Sequence, residues 1–409
     1  MHISFYHFHP ASFHLRMTGL VKIVKNSWQR GNRFLAGRRG EQGTAPLPLN
    51  FPQWWTWVLG KACGTPSLVQ GDVSFATDAL PDRFLMAGRV GEQGTAPLPP
   101  YHLPVLPAEV VEWMDVQPDD VIIDGTLGGG GHTELFLKKK ATVLAIDRDP
   151  DAIAYASQRL ACFGDQLQIF QANYSQMAEH PCMPSDKKVN GIFLDLGVSS
   201  HQLDCAERGF SFQKDGPLDM RMGPNARMTA ETFVNEANEI QLLKALREFG
   251  EEPQAKKITQ LIMTRRKLKP FTRTGDLASC IEQAIGRHGK THPATRTFQA
   301  IRMSINDELS LLHTALEEAV ACLRPGGKLL VITFHSLEDR IVKQFMQHRS
   351  KPFIDDPTWP APRDNPEYHL TLPVRKAISA GNQELSSNPR ARSAKLRVAL
   401  RNNQPLISP

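Results

Sequence analysis

Val121-Ile-Ile-Asp124-Gly-Thr-Leu-Gly-Gly-Gly-Gly-His132 reads as a buried strand, an acid at its end and a loop of four consecutive glycines. Glycine there lets a ligand approach the backbone, and the following helix offers free N–H donors at its N-terminus. The dinucleotide fingerprint G-x-G-x-x-G fails in every register: counted from Gly128 its last glycine falls on Thr133, and counted from Gly129 on Glu134. No G-x-x-x-x-G-K-[ST] phosphate loop is present either. A second run, Thr142-Val-Leu-Ala-Ile-Asp147, again ends in an acid, 23 residues after Asp124. A carboxylate at that strand end can accept both hydroxyls of a ribose. Asp149, just before Pro150, is the better cap for the next helix, which leaves Asp147 for a nucleoside. A sulfonium cation carrying adenosine wants a nearby acid, an adenine slot and no phosphate site. Asp124 and Asp195 at strand ends, Tyr174 after the third strand and a glycine loop without basic residues meet those needs. The pattern favours S-adenosylmethionine as cofactor over a nicotinamide dinucleotide.

Working outward, apolar runs alternate with helical patterns from Tyr101 onward, as a parallel α/β sheet requires. Further strands are predicted at Leu167–Phe170, Gly191–Asp195, Lys328–Phe334 after an Arg324-Pro-Gly-Gly turn, and Lys395–Leu400, which alternates like a late edge strand. A helix is predicted over Asp149–Leu160, with Ile153, Tyr155, Ala156 and Leu160 facing inward. Asp195 to Lys328 spans 133 positions, far more than a crossover needs. Helical patterns at Glu239–Phe249 and Pro253–Lys267 fill that interval. They predict a mostly helical inserted domain over 206–300, with the cofactor-binding domain made of 101–205 and 301–409.

Hydrophobic residues are 41% and charged residues 22%, as in a soluble globular protein. No apolar run approaches the ~20 residues of a membrane helix, and Met1–Leu20 has no apolar signal region. The six cysteines form no C-x-x-C pair, so no metal site is expected. Of the net charge of +6, residues 1–100 hold 10 basic against 5 acidic, or +5, and the rest 38 against 37, or +1. The local excess lies in Lys244–Arg302, with 13 basic and 5 acidic residues, or +8. Residues 1–100 read as a low-order N-terminal extension. Gly40–Pro48 and Gly91–Pro99 are the same nine residues, GEQGTAPLP, a duplication that never became a folded module; a start at Met86 or nearby would leave most of it out. Seven basic residues against one acid in 1–50 also resemble an organelle transit peptide.

Further motifs follow in order: Asp195-Leu-Gly-Val-Ser-Ser-His-Gln-Leu-Asp204, Glu207-Arg-Gly-Phe-Ser-Phe, Asp215-Gly-Pro-Leu-Asp-Met-Arg-Met222 and Phe249-Gly-Glu-Glu252. Then come His292-Pro-Ala-Thr-Arg-Thr-Phe-Gln-Ala300, Phe334-His-Ser-Leu-Glu-Asp-Arg340 and Asn388-Pro-Arg-Ala-Arg-Ser-Ala-Lys-Leu-Arg397. As a set, from about Tyr101 to Arg401, they resemble the ribosomal RNA small subunit methyltransferase H family; residues 1–100 have no counterpart in it. The resemblance implies a class I methyltransferase (Rossmann-like) sheet of α/β class with an inserted, mostly helical domain. It implies donor binding by Gly130, Gly131, His132, Asp147, Tyr174, Asp195 and Gln202, of which His132 and Gln202 rest on the resemblance alone. Position 174 is tyrosine here, where relatives often have phenylalanine, and either ring can stack. The implied reaction is methylation of the exocyclic N4 of a cytidine in small-subunit (16S) ribosomal RNA. The implied partner is that RNA or the 30S particle, in the bacterial cytoplasm, with monomer and homodimer both open.

Such a transfer is an in-line displacement that needs neither a covalent intermediate nor a metal. The poorly nucleophilic amino group must be held within about 3–3.5 Å of the methyl carbon in a dry pocket, on a base taken out of its stack. Asp195-Leu-Gly-Val keeps the acid but lacks the Pro-Pro-aromatic element of many amino-methylating enzymes, DNA enzymes among them. Asp195 is therefore the candidate catalytic residue, and no separate general base stands out. Arg296, Arg302 and the Arg265-Arg-Lys-Leu-Lys269 run are candidate phosphate contacts. His335 and Ser336 are candidate contacts to the target base, with a helix cap by Ser336 as the alternative. The competing functions are methylation of another RNA or DNA amino group, and a non-catalytic assembly factor that binds RNA.

Overall fold

The computed structural model describes residues 103–405, apart from 288 and 290. The duplicated nine-residue segments and the basic stretch within 1–50 lie outside the described residues. Strands β1 (Val121–Asp124), β2 (Thr142–Asp147), β3 (Leu167–Gln171), β4 (Val189–Asp195) and β5 (Leu323–Thr333) run parallel. β6 (Leu370–Thr371) and β7 (Lys395–Arg401) complete the sheet, with β7 antiparallel to both its neighbours. The order is β3-β2-β1-β4-β5-β7-β6. This is an α/β fold with a class I methyltransferase sheet, and β1 and β4 lie at its centre, where the strand order reverses. Ligands of such sheets bind beyond the carboxyl ends of the strands at that point.

The central strands are apolar on both faces because both are covered. Ile122, Val143, Phe193 and Leu330 meet α1 (Pro107–Met114), α2 (Gly131–Lys138) and α3 (Pro150–Arg159). Between β4 and β5 come α4 (Ser200–Asp204), α5 (Ala230–Glu236), α6 (Glu239–Glu248), α7 (Ala255–Leu268), α8 (Thr274–Ile285) and α9 (Thr295–Asn306). Buried residues from Phe210 to Ile305 form their own apolar core, apart from the sheet. The chain turns at Asp307, in the left-handed region with φ 52°. The next helix, α10 (Glu308–Cys322), packs with α11 (Ser336–Arg349) on the second face, over Ile123, Leu144, Ile192 and Leu329. Among the described residues no helix is long and apolar enough to cross a membrane.

Three local expectations are corrected. The fifth strand begins at Leu323, not Lys328, and Arg324-Pro-Gly-Gly is a bulge within it rather than a turn before it. Pro325 has no N–H to give the ladder, and Gly326 sits at φ +80°. Lys395–Arg401 is an interior strand, because Leu370–Thr371 pairs outside it; a two-residue strand leaves no periodic trace in sequence. On α3 the buried residues are Ala152 and Ala156, so a small side chain, not Ile153, faces the sheet.

Candidate active site

The glycine loop is shaped from below. A Cβ on Gly125 would stand 2.5 Å from Leu194 Cδ2. Gly130 caps α2 at φ +75°, where a Cβ would stand 2.6 Å from Leu160 Cδ1. Asp124 is buried beneath the loop and accepts from the Thr126 N–H (3.0 Å) and the Thr133 hydroxyl (2.6 Å). Burial pushes its carboxyl up to about 6 against those hydrogen bonds. Asp124 therefore holds the loop and does not line the cleft above it, contrary to the expectation that it faces a donor.

That cleft has a volume of about 310 Å³ and opens beyond the carboxyl ends of the central strands. The structure brings together on its walls Gly131, His132, Asp147, Tyr174, Asp195 and Gln202. Gly130 lies behind them and acts through the turn it makes. Asp147 Oδ2 accepts from the Gly128 N–H (2.8 Å) and Oδ1 from the Asp149 N–H (2.9 Å). Each oxygen retains acceptor capacity toward the cleft, and burial raises the carboxyl above its usual range. The Tyr174 hydroxyl donates to the Glu308 carbonyl (3.3 Å), which ties the ring to the start of α10.

Gln202 is held at both ends. Its Oε1 accepts from the Ser199 N–H (3.1 Å) in a capping box on α4, and its Nε2 donates to Asp149 Oδ2 (2.8 Å). Asp149 also caps α3 and receives Arg208 Nη1 at 2.8 Å. It is thus a hub between β2 and the helical body, a role the sequence reading missed because Gln202 and Arg208 are 53 and 59 positions away. Arg148 was missed likewise: it lines the cleft and donates to the Asn306 carbonyl (3.2 Å) at the end of α9.

Asp195 is the chemically unusual group. Its Oδ1 is buried with no hydrogen-bond partner among the described residues. Burial first, then the charges of Asp124 and Glu338, push its carboxyl well above the usual range. His132 Nδ1 lies 3.7 Å from Asp195 Oδ2, while Nε2 lies 2.9 Å from the Val105 carbonyl. A carbonyl can only accept, so Nε2 donates there, and Nδ1 is the ring nitrogen that faces Asp195.

The candidate RNA contacts divide. Arg302 and His335 line the cleft; Arg296 and Ser336 do not. Arg302 is half-buried and forks Nε and Nη2 onto Glu308 at 2.8 Å, so it stiffens the wall and leaves no fork for a phosphate. His335, not Ser336, caps α11, its Nδ1 accepting from the Glu338 N–H at 3.4 Å. Its Nε2 lies 3.0 Å from Glu338 Oε1 but out of line for a hydrogen bond. Ser336 donates to Glu251 Oε2 (2.7 Å), and Arg296 donates to the Glu251 carbonyl (3.1 Å). Two arginines of the Arg265–Lys269 run are also occupied. Arg265 binds both oxygens of Asp276 at 3.1 Å and stacks on Phe271. Arg266 donates to the Val234 and Ala237 carbonyls, both at 2.8 Å, and so closes the end of α5. Arg266→Ala should therefore cost about 2 kcal/mol of stability through stranded carbonyls, and exposed Lys267→Ala less than about 0.5; urea melts of the two variants compare them directly.

The family model described as the MraW methylase family matches residues 100–402. A ribosomal RNA small subunit methyltransferase H from Heliobacterium modesticaldum is 44% identical over 306 residues, covering 73% of this chain and 98% of the relative. The protein of that name from Caulobacter vibrioides is 46% identical over 310 residues, covering 75% and 97%. A third, from Brucella canis, is 46% identical over 313 residues, covering 74% and 88%. A match over three quarters of the chain, spanning the sheet, the cleft and the helical body between β4 and α10, places this protein in the MraW methylase family.

Proposed function

We propose that this protein transfers a methyl group from S-adenosylmethionine to the exocyclic N4 of a cytidine in small-subunit ribosomal RNA. The observation that carries the proposal is the Asp195 carboxyl, buried and unpartnered at Oδ1 in a cleft that the glycine loop and Asp147 also line. A buried acid without a partner is costly unless a cation or a donor joins it, and a sulfonium nucleoside beside an amino group supplies both. The relatives' names point to the same substrate RNA.

The bound donor supplies an electrophilic methyl carbon. Asp147 takes the ribose hydroxyls on the acceptor sites its backbone partners leave free, and Tyr174 stacks on the adenine. Gly131 keeps the loop close to the ligand: a Cβ there would press on Pro104 at 3.3 Å. Gln202 sets the far wall through Ser199 and Asp149. Asp195 orients the target amino group by accepting one of its protons. As the new N–C bond forms and the C–S bond breaks, that proton passes to the Asp195 carboxylate, with His132 Nδ1 placed to hold the resulting hydroxyl. The helical body over 206–300 adds Met222 to the cleft wall and serves substrate recognition; a bacterial ribosomal target would put the protein in the cytoplasm, and a mitochondrial one in that organelle. Nucleoside mass spectrometry on small-subunit ribosomal RNA from cells with and without the gene tests the reading. The expected result is one N4-methylated cytidine, lost with the gene and restored by purified protein and S-adenosylmethionine. An unchanged profile would reject the ribosomal substrate.

A further inference from the structure

The sequence concentrates positive charge in Lys244–Arg302, but the fold uses much of it internally: Arg265 on Asp276, Arg266 on two carbonyls and Arg302 on Glu308. The segment 374–397 is denser in charge, with six basic residues and one acid, Glu384, or +5 over 24 residues. It reaches the cleft at Arg390 and Ser393, which line the wall, Arg390 with Asp204 as its partner at 3.1 Å. From there the chain passes through exposed Arg392 into β7, whose Lys395 and Arg397 share one partner, Asp339, and so keep a surplus positive charge. Beyond them lies a notch lined by Lys343, Arg375, Lys376 and Arg397 over Leu372 and Val374, with no acid among its lining residues. Among the described residues Lys343, Arg375, Lys376 and Arg392 form no ion pair.

The notch holds about 10 Å³, room for one water and none for a base. Its chemistry therefore suits backbone phosphates, not base readout. We propose that the stripe from Arg390–Ser393 through Arg392 to the Lys343–Arg375–Lys376 notch carries the phosphates of the RNA strand flanking the target base. It rests on the RNA-methyltransferase reading above. It places the electrostatic track on the carboxy-terminal part of the sheet domain, where the cleft opens, and not on α7.

The test uses the full-length chain and an unmodified small-subunit ribosomal RNA transcript, with binding measured between 50 and 200 mM salt. Removing three phosphate contacts in Arg375→Ala/Lys376→Ala/Arg392→Ala should make the plot of log affinity against log salt shallower by about 2, at ~0.7 per single-stranded phosphate. Titration of S-adenosylmethionine should be unchanged in that variant, which also reports that the sheet domain is folded. Lys256→Ala/Lys257→Ala on α7 should keep the wild-type slope. A wild-type slope in the triple variant, or a flattened one only in the α7 variant, overturns the stripe and leaves the functional reading standing. Wild-type protein that neither binds nor methylates the transcript or the unmodified 30S particle overturns both.

Discussion

Asp195→Asn should lower the single-turnover rate of methyl transfer about 10²–10³-fold and leave the protein at least as stable as wild type. The amide keeps the shape of the side chain but cannot take a proton. In the free protein the wild-type carboxyl is raised well above its usual range by burial and by Asp124 and Glu338. Its folded-state pKa exceeds its unfolded one, so the unfolded chain binds fewer protons between them. Stability therefore falls as pH rises from about 4 through the folded value. Asp195→Asn removes that slope, and thermal melts of the free protein across this range should show a flatter curve. Saturating donor separates the roles: a normal donor dissociation constant with a collapsed rate marks Asp195 as catalytic, and near-normal turnover in the folded variant removes it from the mechanism.

Asp147→Ala should weaken donor binding about 10²–10³-fold, the loss of two charge-assisted hydrogen bonds at about 1.5–3 kcal/mol each, reduced by water that replaces them. It also strands the Gly128 and Asp149 N–H groups that the carboxylate now binds at 2.8 and 2.9 Å. The loop should loosen with it, and part of the loss is that disorder. Asp147→Asn divides the two: one acceptor oxygen remains, so one N–H and one ribose hydroxyl keep a partner. Its affinity should fall between wild type and alanine. Calorimetric titration with S-adenosylmethionine measures all three. An alanine variant that binds the donor like wild type would take Asp147 out of the donor site.

The parts of this fold that were legible are those whose cause is local. β1 and β2 occupy the predicted residues because a short apolar run ending in an acid beside glycine has few other uses. The span of 133 positions from Asp195 to Lys328 announced the helical body, since no crossover needs that length. The cleft could be outlined from strand ends, and Gly131, Asp147, Tyr174 and Asp195 do stand around one cavity. Local reasoning failed where a side chain has two similar choices. His335 and Ser336 can each cap α11, and a one-residue change of phase sends the serine to Glu251 instead. Asp124 and Asp195 end neighbouring strands alike, yet one turns under the loop and the other into the cleft.

The central strands, the glycine loop, the acids that end β1, β2 and β4 and the helical interval between β4 and β5 were already legible in the amino-acid order, because apolar period and segment length are local properties. Which charges are free follows from packing alone. Arg265, Arg266 and Arg302 look like a basic surface when counted along the chain, but folding places Asp276, two carbonyls and Glu308 against them. Asp195 looks like one carboxylate among many, but folding withdraws water from Oδ1 without supplying a partner. A charge acts through its surroundings, and those surroundings come from segments tens of positions away, which only the packed chain brings together.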